Sequence, residues 1–381
     1  MKSIQQKFSV PFKYTVHFTE EIFSLNNAIF AHTVKGSRAA KVFFVIDDGV
    51  ATAHPSLCDN IKKYAEAYSQ DFILCAEPMI VPGGEGVKND KRCVEQILDA
   101  SNSHGIDRHS FIVAIGGGAV LDMAGFATAI AHRGIRHIRI PTTVLAQNDS
   151  GIGVKNSVNA YKKKNFLGTF APPFAVINDS TFLNTLDDRD WRSGISEAVK
   201  VALIKDASFF EWLEANAADL TARKMPPMEE LIYRCAKMHL DHIAGGDPFE
   251  MGSSRPLDFG HWAAHKLEQL TTYELRHGEA VAIGICLDAT YSYLKDLISV
   301  EDLNRIISLF KKLKFPIHIP ELSGGNLVNG LEEFREHLGG ELTIMLVNDI
   351  GHGIEVHEMD TQLIFQAAEK LEEFQKEQFI N

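Results

Sequence analysis

Two unbroken apolar runs, FFVI within KVFFVID (41–47) and FIVAI at the head of FIVAIGGG (111–118), constrain this chain more than any other feature. Consecutive apolar residues without alternation suit strands covered on both faces, as in a parallel sheet flanked by helices. A third β-rich run, IRHIRIPTT (135–143), and helix-period stretches such as KRCVEQIL complete a βαβ alternation. Beyond about Asp179 the period changes. WRSGISEAVKVALIKDASFFEWLEANA, MEELIYRCAKMHLDHIA, LDFGHWAAHKLEQL, GEAVAIGICLDATYSYLKDL and MDTQLIFQAAEKLEEFQKEQ all follow a 3.6-residue repeat.

The expected architecture is an α/β, Rossmann-like N-terminal domain over residues 1–179 and an all-α C-terminal domain over 180–381. GGELTIMLVND (339–349) is the exception, a late strand or hairpin. No repeat, low-complexity tract or flexible linker separates the halves, so they are expected to share an interface with a cleft.

With 38 Lys and Arg against 50 Asp and Glu, the formal charge is -12, which argues against nucleic-acid binding. An anionic ligand must therefore meet a local basic patch. Five scattered cysteines, Cys58, Cys75, Cys93, Cys235 and Cys286, form no CxxC pair and fit a reducing cytoplasm. The start, MKSIQQKFSVPFKYTV, has no apolar signal core, and no eighteen apolar residues run together, so neither export nor membrane insertion is expected.

FIVAIGGGAVLDMAGFATAI reads as a strand, three glycines and a helix whose first turn carries Asp122. Such a turn can aim backbone N–H groups and a helix N-terminus at a pyrophosphate. It is not GxGxxG, and a tight turn without a ligand would look the same. Two further strand ends weigh toward a dinucleotide: Asp47 closes one, and Thr142, Thr143, Asp149 and Ser150 follow another.

His261 and His265 stand four apart, one face of a helix, and His277 follows a short polar break. Three Glu or His ligands with one position left open is a usual catalytic zinc arrangement. Glu197, embedded in the apolar SGISEAVKVAL with Lys200 three residues on, is the best acid partner. Spacing alone leaves a structural ion pair and interior histidines as open alternatives. GVKNSVNAYKKKNFLGTF (153–170) concentrates Lys155, Lys162, Lys163 and Lys164, and Arg133 adds a cation nearby in sequence. The stretch reads as a solvated surface loop, or as a loop folded over a substrate phosphate.

Taken together, GGGAVLDMAGFATA, RGIRHIRIPTTVLAQNDSGIG, KKNFLGTF, SGISEAVK, DFGHWAAHKLE and RHGEAVAIG resemble the sugar phosphate cyclases, the group of 3-dehydroquinate synthase, from Asp47 to His337. The resemblance implies the dehydroquinate synthase-like fold, a homodimer and a divalent metal, zinc or cobalt, held by Glu197, His261 and His277. It implies that Asp47, Glu85, Lys88, Gly117, Gly118, Asp122, Thr142, Thr143, Leu145 and Thr185 contact NAD. Asp149, Lys155, Asn165 and Lys200 would hold substrate hydroxyls, with His265 as a substrate or proton-relay group. Lys164, and Arg133 from the partner subunit, would grip the phosphate.

Dehydroquinate synthase resembles LNFGH before its first metal histidine and has a Lys late in the site. Here RPLDFGH and EFREHLGG put Asp258 and His337 at those positions. A substrate carboxylate beside Asp258 would meet like-charge repulsion costing on the order of 1 kcal/mol or more. GGDPFEMGSSRPLDFGHWAAHKLE and FREHLGGELTI are instead similar to C7-cyclitol synthases that close sedoheptulose 7-phosphate, where a neutral hydroxymethyl replaces the carboxylate. QND after the threonines, the following VKN and the short N-terminus favour 2-epi-valiolone over 2-epi-5-epi-valiolone. The implied reaction is transient oxidation by NAD, loss of phosphate, re-reduction and intramolecular aldol closure. The alternatives are 3-dehydroquinate synthase itself, a metal-dependent polyol dehydrogenase, and a binding protein on the same fold.

Overall fold

The computed structural model describes residues 2–161, 163–245, 248–249, 256–337 and 340–377. They separate into two compact units: Met1–Thr142 with Gly151–Phe182, and Thr143–Ser150 with Leu183–Asn381.

The first unit is built on a seven-stranded parallel sheet. Its strands are β1 (Thr15–Thr19), β2 (Ala40–Asp47), β3 (Phe72–Leu74), β4 (Met79–Val81), β5 (Phe111–Gly116) and β6 (Arg136–Pro141), joined after a separate hairpin by β9 (Ala175–Asp179). The order is β1-β9-β6-β5-β2-β3, with β4 also pairing β2. The two unbroken apolar runs occupy neighbouring central strands, in register from Val42 opposite Phe111 to Ile46 opposite Ile115. Every residue of β5 and the last six of β2 are buried. Phe23, Phe30, Phe44, Tyr64 and Phe72 pack edge-to-face or tilted over one side of this sheet.

The expected basic loop is not a loop. Lys155–Ala160 (β7) and Lys163–Phe170 (β8) form an antiparallel hairpin. It is anchored where Gly125 of the Gly118–Ile130 helix meets Asn156; a Cβ on that glycine would lie 1.8 Å from Asn156 Oδ1. Lys162 lies outside the described residues.

The second unit is helical, with a core that includes Trp191, Phe209, Phe210, Trp262 and Phe310. The long helical run beginning at Trp191 divides into Asp188–Ser193, Ile195–Lys205 and Ala207–Thr221, broken at Gly194 and at Asp206, whose carboxylate caps the third. The late strand signal is a hairpin, β10 (Ile344–Asp349) with β11 (His352–Val356), so this unit is not wholly α-helical. Among the described residues, no helix is long and apolar enough to cross a membrane.

Candidate metal and cofactor sites

Three glycine contacts shape the metal-binding candidate. Gly278, directly after His277, would carry a Cβ 2.0 Å from Ser193 O, so the start of the His277–Leu294 helix presses on backbone just before Glu197. Further along that helix, a Cβ on Gly284 would stand 2.1 Å from Gly260 O. Gly260 itself has φ of 77° and precedes His261, the first residue of the His261–Leu270 helix. Only glycine combines that left-handed conformation with such an approach.

The result is convergence. Glu197 Oε1 lies 3.6 Å from His261 Nε2 and 3.5 Å from His277 Nε2. One ligand atom from each of the three residues falls within 4.8 Å of the others. His261 Nδ1 lies 3.1 Å from the carbonyl of Phe259, and His277 Nδ1 3.2 Å from Glu268 Oε2. Both partners only accept, so each Nδ1 donates and each ring turns its Nε2 toward Glu197. Glu197 is fully buried, with Lys200 Nζ 2.5 Å from its Oε2. Two imidazole nitrogens and a carboxylate oxygen converging in this way make a donor set that fits a divalent metal.

Charge in the surroundings supports this. Burial works against ionisation of Glu197, but Lys200 and then His261 more than offset it and hold the carboxyl well below its usual range. Burial likewise opposes the Lys200 charge, yet Glu197, Asp149 and Asp258 keep its pKa above normal. Asp149 sits on a π-helical turn, Ala146–Ser150, and pairs with His239 Nδ1 at 2.9 Å. Burial raises its pKa, but Lys200 and His239 more than offset this and bring it below normal. Asp258 is half-buried. His265 is in the same helix as His261, its ring stacked on His277 with centroids 5.8 Å apart. His337 ends the Asn329–His337 helix, and its side chain, like all of Arg255, lies outside the described residues.

In the first unit, Gly117 caps the Gly118–Ile130 helix without a side-chain hydrogen bond, leaving N–H groups at that terminus for an anion. Asp122 is the fifth residue of that helix, so it stands in the second turn and not the first. It accepts from Lys88 Nζ at 2.7 Å, and the same ammonium donates to Asn165 Oδ1. Residues expected at the cofactor and at the substrate thus share one lysine. Glu85 Oε1 is buried without a hydrogen-bond partner, an acceptor fitted to a ligand hydroxyl. Asp47 caps the following helix, with Gly49 N donating to Oδ1 at 2.8 Å. Its pKa is raised by burial despite those bonds.

Thr142 is buried, its N–H bonded to Gly116 O at 3.0 Å. Thr143 and Leu145 belong to the second unit, as does the exposed Thr185. Arg133 is exposed on a tight turn with φ of 61°, Lys155 is exposed on β7, and Lys164 is half-buried on β8. His239, Glu268 and Asp288 escaped the sequence reading. An acid inside the apolar AVAIGICLDATYSYL was a usable signal for Asp288; nothing distinguished His239 from the other histidines.

Residues 78–193 match the family described as 3-dehydroquinate synthase N-terminal, and residues 194–334 match 3-dehydroquinate synthase C-terminal. The chain belongs to the 3-dehydroquinate synthase family. A 3-dehydroquinate synthase of Coxiella burnetii (strain CbuK_Q154) is 35% identical over 349 residues, 91% of this chain and 93% of that protein. ValA (2-epi-5-epi-valiolone synthase) from Streptomyces hygroscopicus subsp. jinggangensis 5008, solved with NAD+ and Zn2+ bound, matches with TM-score 0.88 and 28% identity. That match covers 97% of this chain and 99% of ValA. A 2-deoxy-scyllo-inosose synthase complexed with carbaglucose-6-phosphate, NAD+ and Co2+ shares the fold at TM-score 0.77 and 23% identity, covering 93% and 96%. Membership of the 3-dehydroquinate synthase family makes the chain a sugar phosphate cyclase, and the expected family and two-part fold are borne out.

Proposed function

We propose that this cyclase uses NAD and a divalent cation, zinc or cobalt, to convert sedoheptulose 7-phosphate into a C7 cyclitol, 2-epi-valiolone in preference to 2-epi-5-epi-valiolone. The observation that carries the substrate choice is Asp258, close enough to Lys200 to raise its pKa. A negative side chain there favours a hydroxymethyl, which can donate to it, over a carboxylate, which it would repel. The likeness to ValA supports the C7 branch, while QND and VKN support the 2-epi-valiolone product. Sequence relatives named 3-dehydroquinate synthase make that activity the second reading.

When bound, NAD+ would supply reversible hydride transfer and the cation Lewis acidity toward adjacent hydroxyls. Glu197, His261 and His277 would hold the cation. Lys200, kept protonated by Glu197 and Asp149, is suited to donate to a substrate oxygen, and Asp149, kept ionised, to accept from a hydroxyl. His265 would pass protons at its Nε2. Lys155 and Asn165 would orient the sugar, and Lys164 with Arg133 of a second copy would hold the phosphate, whose own oxygen can take the proton during elimination. By its match to the late Lys of dehydroquinate synthase, His337 would be a further substrate-binding residue.

Incubation with NAD, Zn2+ or Co2+ and sedoheptulose 7-phosphate should release inorganic phosphate without net NADH, and NMR should identify a cyclitol. Turnover only of the corresponding seven-carbon sugar-acid phosphate would replace this reading with the second. Net NADH absorbance would replace it with a polyol dehydrogenase.

A further inference from the structure

We propose that Glu268 is a positioning residue that fixes the tautomers of two imidazoles at once, the metal-ligand candidate His277 and the outer His265. Its carboxylate is buried, one turn beyond His265 on the same helix. A single oxygen, Oε2, lies 3.2 Å from His265 Nδ1 and 3.2 Å from His277 Nδ1. An ionised carboxylate only accepts, so both Nδ1 atoms donate, and in the neutral form of each ring the Nε2 atom keeps its lone pair. For His277 that lone pair faces Glu197 Oε1 at 3.5 Å, where a cation would sit. For His265, whose side chain is 43% exposed, it makes the ring a proton acceptor toward a bound substrate.

The two rings that share this oxygen are near-parallel, 24° apart. Without Glu268, either ring can adopt the other tautomer, in which His277 presents an N–H to the cation and His265 can no longer accept. The inference rests on the metal reading above, but its first measurement requires no substrate.

Metal-stripped wild type, E268Q, E268A, H265A and the E268A/H265A double variant would be titrated with Zn2+ against a chromophoric chelator. The wild type should bind one equivalent per chain. Affinity should fall about 10-fold in E268Q, which keeps the shape but loses the charge, and by up to about 100-fold in E268A. H265A should stay close to wild type. At saturating Zn2+, E268A should lower kcat for sedoheptulose 7-phosphate, and adding E268A to H265A should lower it no further.

A purely structural role would lower Tm while leaving the affinity of the folded protein unchanged, and that result in E268Q overturns the proposal. Binding of two equivalents by the wild type, one of them lost in E268Q, would also overturn it, because Glu268 would then be a ligand of its own cation. If E268A does not fold, the E268Q affinity decides. Absence of phosphate release by wild type would count against the cyclase substrate and leave the affinity comparison standing.

Discussion

Lys200 Nζ stands 2.5 Å from Glu197 Oε2, one turn along the same helix, with side-chain exposures of 3% and 0%. Removing one partner of a buried pair leaves an uncompensated charge at a cost of about 3–5 kcal/mol. Lys200→Met should therefore lower the Tm of metal-free protein steeply. Zn2+ should recover much of the loss, because a cation beside Glu197 replaces the missing ammonium. A gap between variant and wild type that is the same with and without Zn2+ would remove Glu197 from the ligand set.

Asp258→Asn tests substrate choice. Loss of the negative charge should shift the ratio of kcat/KM toward the carboxylate-bearing sugar phosphate by about tenfold, equivalent to ~1.4 kcal/mol of relieved repulsion. Competition between the two substrates, followed by NMR, measures that ratio directly. An unchanged ratio would separate Asp258 from recognition.

Asp288 is fully buried in the His277–Leu294 helix and accepts from Trp262 Nε1 at 2.9 Å and Gly260 N at 3.1 Å, on either side of His261. Burial pushes its pKa up to about 7, only partly offset by those bonds. Below about pH 4 both folded and unfolded carboxyls are protonated, and no penalty arises. Between about 4 and 7 the unfolded state ionises first, so this group's contribution to stability falls as pH rises, then levels off. Asp288→Asn should thus gain on wild type by more than about 1 kcal/mol between pH 5 and pH 8 in urea titrations. Parallel stability curves would contradict it.

Gly284→Ala places a methyl 2.1 Å from Gly260 O, against backbone that cannot swing aside. Overpacking of this kind costs roughly 1–3 kcal/mol or more. Because Gly260 leads into His261, zinc affinity should also weaken, by about tenfold, in whatever fraction remains folded. Chelator competition on the folded fraction distinguishes this from a loss of stability alone.

How far these features could be read from sequence depended on periodicity. The strands β2 and β5 were legible because parallel strands buried on both faces carry unbroken apolar runs. The β7–β8 hairpin was not: β8 is exposed at six of its eight positions and rich in lysine, so it carries no alternation to read. Helix breaks at Gly194 and Asp206 were hidden by apolar spacing that continues through them. Glu197, His261 and His277 could be paired as ligand types, but their meeting depends on the backbone contacts at Gly260, Gly278 and Gly284. Nothing in HKLE singles out Glu268, since spacing cannot show that two rings turn inward to it.

The eight residues Thr143–Ser150 leave the sheet-bearing unit, serve the helical one, and hand the chain back at Gly151. They bring with them Val144 of its core, Asn148 bonded to Gly194 O at 2.7 Å, and the Asp149 partner of His239. A fragment starting after Phe182 would therefore lack a piece of its own interior and one side of its charge network. The two halves are spliced through each other, so recombination at a single junction cannot exchange one for a relative's without transplanting this octapeptide as well.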